Sequence, residues 1–269
     1  MAEQVVVVTG ADQGFGKAAA EAFAADGALV VASDADTSTQ EGGSAVLREA
    51  VDARGRVDVL VCGAAVNRPG SLLDLSVEDW DATMAGTIKA AFTVVHDASV
   101  IMRQQQQGRI VLSTSGLGMS RLSNTDGGVA FAAASAGMYG FVRVISKDLG
   151  RYGITANAID LQALGTLDDG DSPWLVPGEA GSAEDAATSL ARYLASDEAD
   201  DVSGEVFLVS RERIAVYSRH RQDIVASVPG GWDAQKLASH FRGTLGTPVR
   251  LGTETGGALA QISAAQSNG

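Results

Sequence analysis

The stretch Val5-Val6-Val7-Val8-Thr9-Gly10-Ala11-Asp12-Gln13-Gly14-Phe15-Gly16-Lys17 decides the fold. Four consecutive valines read as a strand buried on both faces, as the strands of a parallel sheet are. A glycine-rich turn follows, and then an Ala-rich run from Lys17 to Ala25 with high helix propensity. Strand, turn and helix form the first half of a mononucleotide-binding unit. Its glycines let backbone approach a pyrophosphate, and the helix N-terminus supplies amides and partial positive charge. Gly10, Gly14 and Gly16 are therefore the candidate phosphate-side residues.

Working outward, Ala28-Leu29-Val30-Val31-Ala32-Ser33-Asp34 is a second buried strand ending in an acid. An acid about 20 residues past such a turn can accept bonds from adenosine ribose hydroxyls. Asp34 would then disfavour a 2′-phosphate and favour NAD over NADP. The alternative is that Asp34 starts a loop or caps a helix. A helical run near Gly43 to Ala53 precedes the next strand, Asp58-Val59-Leu60-Val61-Cys62. Only 23 residues lie between Asp34 and Asp58. One crossover helix fits there, whereas helix, strand and second helix need roughly 30 or more. One edge strand is therefore expected to be missing, and with it the usual wall of an adenine pocket.

Segment 77–103 reads as a long helix, and Arg109 to Ser113 as the next strand. Residues 129–149 form a helix that is small or apolar nearly all round, which implies burial on most sides. In a monomer one face would meet the sheet and the other would need a second cover, for which a partner subunit is the natural candidate. Ile154 to Ile159 is another strand, an acidic Gly/Pro loop runs to about residue 181, and Ser182 to Ala195 is a helix. Gly204 to Val209 is the last parallel strand, and Arg211-Glu212-Arg213 turns the chain into a hairpin at Ile214-Ala215-Val216-Tyr217. Trp232 to Leu245 reads as an amphipathic helix. The expected architecture is a doubly wound α/β Rossmann fold, its mostly parallel sheet lacking one edge strand. Residues 1–210 form the Rossmann domain, 211–251 a C-terminal hairpin-helix extension of it, and 252–269 a flexible tail.

Composition narrows the function classes. The chain has 269 residues, 45% hydrophobic and 20% charged, and carries a net charge of −13. That charge argues against nucleic acid and anionic membranes. The single cysteine, Cys62, allows no intramolecular disulfide and fits a reducing compartment. No continuous apolar run reaches the roughly 20 residues of a membrane span. With no leader segment evident, a cytoplasmic location is expected. His96, His220 and His240 lack metal-ligand spacing, and no metal is expected.

About four-fifths of the chain resembles the short-chain dehydrogenase/reductase family. Thr9-Gly10-Ala11-Asp12-Gln13-Gly14-Phe15-Gly16 matches that family's Thr-Gly-x-x-x-Gly-x-Gly turn, and Asp58-Val59-Leu60-Val61 the strand before its Asn-Asn-Ala-Gly motif. Gly150 to Ala158, Leu194 to Ala199 and Ser203-Gly204 resemble its later landmarks. The C-terminal extension resembles, more weakly, members that act on acyl-CoA substrates. The resemblance implies four working side chains: an Asn, a Ser that polarises the substrate oxygen, a Tyr acid/base, and a Lys four residues on. That Lys lowers the Tyr pKa and binds the nicotinamide ribose. Here the Tyr and Lys positions hold Phe131 and Ser135, the helix Asn falls at Thr87, and Ser115 keeps the Ser. Asn-Asn-Ala-Gly reads Cys62-Gly63-Ala64-Ala65, and the Pro-Gly beside the nicotinamide reads Leu161-Gln162. Phe carries no transferable proton, and Ser carries no charge to perturb a neighbour. Tyr139 and Arg143 repeat the four-residue spacing, but eight residues further along the helix, roughly 12 Å away at 1.5 Å per residue. Core or interface packing accounts for Tyr139 better.

The resemblance therefore implies a catalytically silent subunit that assembles with an active paralogue of the family. Helices 77–103 and 129–149 would form the contact, giving a hetero-oligomer (dimer or tetramer), and the partner would act on a ketone or hydroxyacyl substrate. Vestigial or weak NAD binding is expected through Gly10, Gly14, Gly16 and Asp34. The alternatives are an enzyme that reuses the pocket through Ser115, Thr87 or Cys62, and a homo-oligomer that binds a dinucleotide or acyl ligand.

Overall fold

The computed structural model describes residues 3–116, 128–161, 183–209 and 214–217. The chain divides into a compact unit, Met1–Tyr217, and a second, Ser218–Gly269, which lies outside the described residues. The helix expected at Trp232 to Leu245 and the tail at 252–269 fall in that second unit.

The valine run forms strand β1 (Val5–Thr9), every residue of it buried. Helix α1 (Gly14–Ala25) returns the chain to β2 (Leu29–Ser33), and α2 (Gln40–Arg54) leads to β3 (Val59–Cys62). Thr39 caps α2, its hydroxyl accepting from the Gly42 amide at 3.1 Å, and Gly55 ends it at φ 69°. Segment 77–105 departs from the single helix expected. It runs as α3 (Val77–Met84), a π turn (Ala85–Lys89) and α4 (Ala90–Gln105). Strand β4 (Gly108–Thr114), α5 (Val129–Gly150), β5 (Ile154–Asp160), α6 (Ala183–Leu194), β6 (Val206–Val209) and β7 (Ile214–Val216) complete the unit.

The sheet order is β2-β1-β3-β4-β5-β6-β7, with all pairs parallel except the antiparallel β6–β7 hairpin. No strand lies beyond β2 among the described residues, as the short interval after Asp34 required. Alternation along the strands sends Val5, Val7, Leu60, Ile110, Leu112 and Ala156 to a face covered by α2, α4 and α5. The opposite residues, Val6, Val8, Val59, Val61 and Val111, meet Phe15, Phe23, Leu190 and Leu194 of α1 and α6. Each such side chain contributes about 1.5–3 kcal/mol by burial. Arg192 of α6 binds Asp26 at the end of α1 through two bonds of about 2.5–2.6 Å, tying that second layer together.

Where the edge unit is missing, the sheet has closed over the gap. The loop after β2 folds onto α4: the Thr93 hydroxyl donates to the Thr37 carbonyl, and both residues are buried. The Ser44 hydroxyl and the Gln40 amide of α2 donate to Asp97 of α4 at 2.6 and 2.9 Å. Helix α2 comes so near that a Cβ on Gly43 would lie 3.3 Å from the Thr93 hydroxyl.

Helix α5 is, by length and composition, apolar enough to cross a membrane, a test that a core helix passes equally, and it carries Arg143, Lys147 and Asp148. Its buried positions, among them Ala130, Ala134, Met138 and Val142, pack into the core. About a third of its apolar window is buried; the rest is half-buried or exposed, with Val129, Ala133, Gly140 and Val144 exposed.

Tyr139 of α5 is core, 2% exposed, but it has polar company. Its hydroxyl donates to Asp160 Oδ2 at 3.4 Å, and that of Tyr217 donates to the same oxygen at 2.7 Å. The two rings meet edge to face at 5.3 Å. Asp160 is fully buried at the end of β5, so the two phenols satisfy a carboxylate that water does not reach. Burial first, and then the Asp160 charge, push both phenol pKa values well above the usual tyrosine range.

With folded pKa values above the unfolded value of about 10, these phenols give stability that is whole below about pH 10 and lost as pH rises beyond it. Urea unfolding followed from about pH 9 to about pH 11 is expected to show stability falling with up to ~1.4 kcal/mol per pH unit per phenol. The Tyr139→Phe/Tyr217→Phe variant is expected to be less stable at neutral pH and to lose most of that slope.

Candidate functional site

The glycine turn is shaped by close approach of backbones. Gly10 has φ +64°, and a Cβ there would stand 2.6 Å from the Ala64 nitrogen. A Cβ on Gly16 would fall 2.0 Å from the Gly10 carbonyl oxygen, and one on Gly63 would fall 2.9 Å from the Gly16 Cα. These three glycines interlock the turn after β1, the start of α1 and the turn after β3. The Gly63 amide completes the junction by donating to the Thr9 carbonyl at 3.0 Å. Gly14 differs: at φ +52° its missing Cβ would meet nothing within 4 Å, so it faces open space. Gln13 precedes α1 without a side-chain cap, which leaves the first-turn amides to an external acceptor.

Beside this turn lies a cleft of about 220 Å³, lined by Gly10, Asp12, Gln13, Gly63 and Gly86 among others. Asp34 to Thr37 form part of its wall. Asp34 is exposed there, and Thr39 rather than Asp34 caps α2, so the helix-cap alternative is excluded. Residues 34–37 follow β2 directly and line one side of this cleft, the Thr37 carbonyl accepting from the Thr93 hydroxyl. Hydrogen bonds from Ser38 hold the Asp36 carboxyl below its usual pKa.

Thr87 lies in the π turn and is 5% exposed. Its hydroxyl accepts from the Val66 amide at 3.2 Å and donates to the Val66 carbonyl at 3.0 Å. Thr83 accepts from the Arg68 amide at 3.2 Å. Both hydroxyls pin the segment that follows β3. Gly86 permits this approach, because a Cβ there would stand 2.3 Å from a Val66 methyl. Cys62 is buried at the end of β3, and burial pushes its thiol up to about 12, with Thr9 opposing weakly. Such a thiol is not a nucleophile at neutral pH.

Phe131 and Ser135 lie one turn apart on α5, near the end of β4. Thr114, at the end of β4, donates to the Ser135 carbonyl at 3.3 Å, which fixes α5 against the strand that leads into Ser115. Ser115 is 7% exposed and Phe131 half-buried. Ser135 is 1% exposed, and its Oγ has no hydrogen-bond partner. Tyr139, one turn further on, is committed to Asp160. The segments 117–127 and 162–182, which flank the site in sequence, lie outside the described residues. No cluster of three or more metal-ligating side chains occurs among the described residues.

Comparison with known proteins places these features. Residues 32–168 match the family model for short chain dehydrogenases. A 3-oxoacyl-[acyl-carrier-protein] reductase of Synechocystis is 34% identical over 181 residues, spanning 58% of this chain and 72% of its own. A (2S)-[(R)-hydroxy(phenyl)methyl]succinyl-CoA dehydrogenase subunit of Thauera aromatica is 29% identical over 239 residues, 77% of this chain and 94% of its own. The crystal structure of a short chain dehydrogenase from Mycobacterium avium superposes with a TM-score of 0.78 at 26% identity, covering 91% of this chain and 96% of that one.

Sequence reasoning did not find the roles of Thr37, Thr83 and Thr93, since threonines in helices and loops carry no spacing signal. Two outcomes follow from the geometry. Ser135→Ala removes an unpartnered buried hydroxyl and is expected to raise stability by about 1 kcal/mol in urea unfolding. Native Cys62 is expected to resist iodoacetamide near pH 8, its alkylation tracking global unfolding as urea is added.

Proposed function

The chain belongs to the short chain dehydrogenase family, and we propose that within it this protein is a non-catalytic subunit, assembled with an active relative that carries the intact Tyr and Lys. The observation that carries the proposal is the pair Phe131 and Ser135. They occupy the acid and activator positions of α5, and the second is a buried neutral hydroxyl with no hydrogen-bond partner. General acid–base help of this kind is worth 10²–10⁴-fold, and neither residue can give it. Two of the groups that could replace it, Thr87 and Cys62, are engaged in backbone support and buried in the core.

The uncovered surface of α4 and α5 supports an assembly role. Phe92, Val100 and Val144 are 49%, 53% and 58% exposed, and the Phe92 ring meets that of Phe141 in a tilted contact, centroids 6.4 Å apart. Ala133 and Gly140 lie on the same open side of α5, small enough to admit another helix closely. An apolar helix pair of this length is costly to leave in water. The partner's substrate class follows from the relatives: one is named for a 3-oxoacyl group on a carrier protein, and another as a subunit acting on a succinyl-CoA derivative. We assign the partner a ketone or hydroxyacyl thioester and NAD(P) as its oxidant or reductant.

The test is expression with and without a short-chain dehydrogenase from the same organism that carries the intact Tyr-x-x-x-Lys, followed by size exclusion with mass analysis and an NADH assay. The expected result is a mixed oligomer whose turnover is lost when the relative's Tyr is changed to Phe, with no measurable turnover by this chain alone. A homo-oligomer that reduces a 3-oxoacyl thioester by itself would overturn the proposal.

A further inference from the structure

At the end of the sheet opposite the glycine turn, a second cavity of about 350 Å³ opens where β4 and β5 begin. Its walls come from residues 107–109, 146–155 and 200–203. Adjacent strands set Arg109 and Thr155 side by side in register, and both are buried, 6% and 5% exposed. Three carbonyls hold the guanidinium in place. Nε donates to Ser196 at 3.4 Å, and Nη1 to Gly108 at 3.1 Å and to Gly153 at 3.3 Å. Nη2 is left with the Asp197 carboxylate alone, 3.5 Å away on a side chain 90% exposed. An ion pair so open to water does little, so a buried cation stands here without a close counter-charge.

The hydroxyls nearby are in the same position. Thr155 Oγ1 is buried and has no hydrogen-bond partner. Ser203 accepts from the Ala156 amide at 3.1 Å, which leaves its O–H to donate elsewhere. An unpaired buried hydroxyl is a cost to folding that a valine of the same shape would avoid. Other parts of the wall carry the opposite sign. Asp200 is exposed, and its carboxylate has no ion-pair partner among the described residues. Gly150 lines the cavity as the last residue of α5, so the negative pole of a 22-residue helix ends there.

We infer that this cavity binds a small zwitterion of the amino-acid type, its carboxylate taken by Arg109 and its ammonium by Asp200 and the end of α5. A carboxylate suits Nη2 and the Thr155 hydroxyl, because an ionised acceptor makes the short, strong bonds that Asp197 at its distance does not. Asp197 and Asp200 together repel a dianion such as phosphate. An amine without a carboxylate leaves Arg109 and Thr155 unpaired. Ile154 supplies the apolar contact, so a short aliphatic side chain fits better than a charged one. The volume lies within the range of small-molecule sites. The site uses neither Phe131 nor Ser135 and needs no partner subunit, so it is independent of the non-catalytic reading.

The experiment is amide NMR of the isotope-labelled full chain, titrated with L-alanine, propionate, ethylamine and inorganic phosphate, and repeated on Thr155→Val and Asp200→Asn. The expected result is saturable shifts at Gly153, Thr155 and Ser203 with millimolar L-alanine, about fivefold weaker binding of propionate, and none of ethylamine or phosphate. Thr155→Val is expected to weaken alanine binding about fivefold while making the free protein more stable in urea. Asp200→Asn, at an exposed side chain, is expected to bind alanine and propionate alike. The inference is overturned if L-alanine gives no saturable shift, if phosphate or propionate binds as tightly, or if neither variant changes alanine binding. Lower stability of free Thr155→Val would overturn it too, since the hydroxyl would then already be satisfied by water.

Discussion

Three backbone segments meet at Gly10, Gly16 and Gly63 with no room for a single Cβ between them, and the cleft depends on that contact. The turn after β1 must leave the sheet, reverse and start α1 while the turn after β3 lies against it. Any side chain in the junction would push α1 away from the strand ends and break the facing of Val6 and Val8 on Phe15. The glycines therefore serve packing first. Their retention says that the fold is kept, and by itself says nothing of chemistry. Gly14 is the exception, because its Cβ position is empty and its backbone faces outward.

The same separation explains how two positions of α5 can change within an intact domain. Tyr and Lys at positions 131 and 135 would act on bound molecules. Phe131 and Ser135 cost the helix little, since Ala, Gly and Met surround them and α5 is set by Ala130, Ala134, Met138 and Val142. Stability that a buried cation might have cost is instead placed one turn away, where Asp160 is met by two phenols. That cluster also fixes β7, because Tyr217 bonds Asp160 with its hydroxyl and Val206 with its amide.

Much of this was legible in the residues, and the reasons are physical. Runs such as Val5 to Val8 announce buried parallel strands, because nothing else in a soluble chain places four branched apolar residues in a row. The missing edge strand was legible by counting, since chain length limits how many crossovers fit between Asp34 and Asp58. The placing of Phe131 and Ser135 on one face of α5 was legible because a fixed i, i+4 relation does not depend on distant packing. What was not legible depends on contacts between segments far apart in sequence. Thr93 reaching Thr37, Thr87 holding Val66 and Tyr217 reaching Asp160 join residues 56, 21 and 57 positions apart. The π turn at Ala85–Lys89 belongs to the same class: it shifts the helix register where Gly86 and Thr87 meet Val66, and no local propensity encodes it.

The closure of α2 on α4 bears most directly on function. Loss of an edge unit removes a strand and a helix together, and the exposed flank of β2 could have been left ragged. Instead Asp97 accepts from two residues of α2, Gly43 supplies the space for α4, and Thr93 holds the loop carbonyl. Hydrogen bonds of this kind contribute about 1 kcal/mol each, and the buried one from Thr93 would cost more if its groups were left unpaired. The closure is thus sufficient to stabilise the shortened sheet whether or not a ligand is present. Ala35 and Ala90 line the cleft with small side chains, and the space bounded by Asp34, Thr37, Val66 and Gly10 stays open beside the closed flank of the sheet.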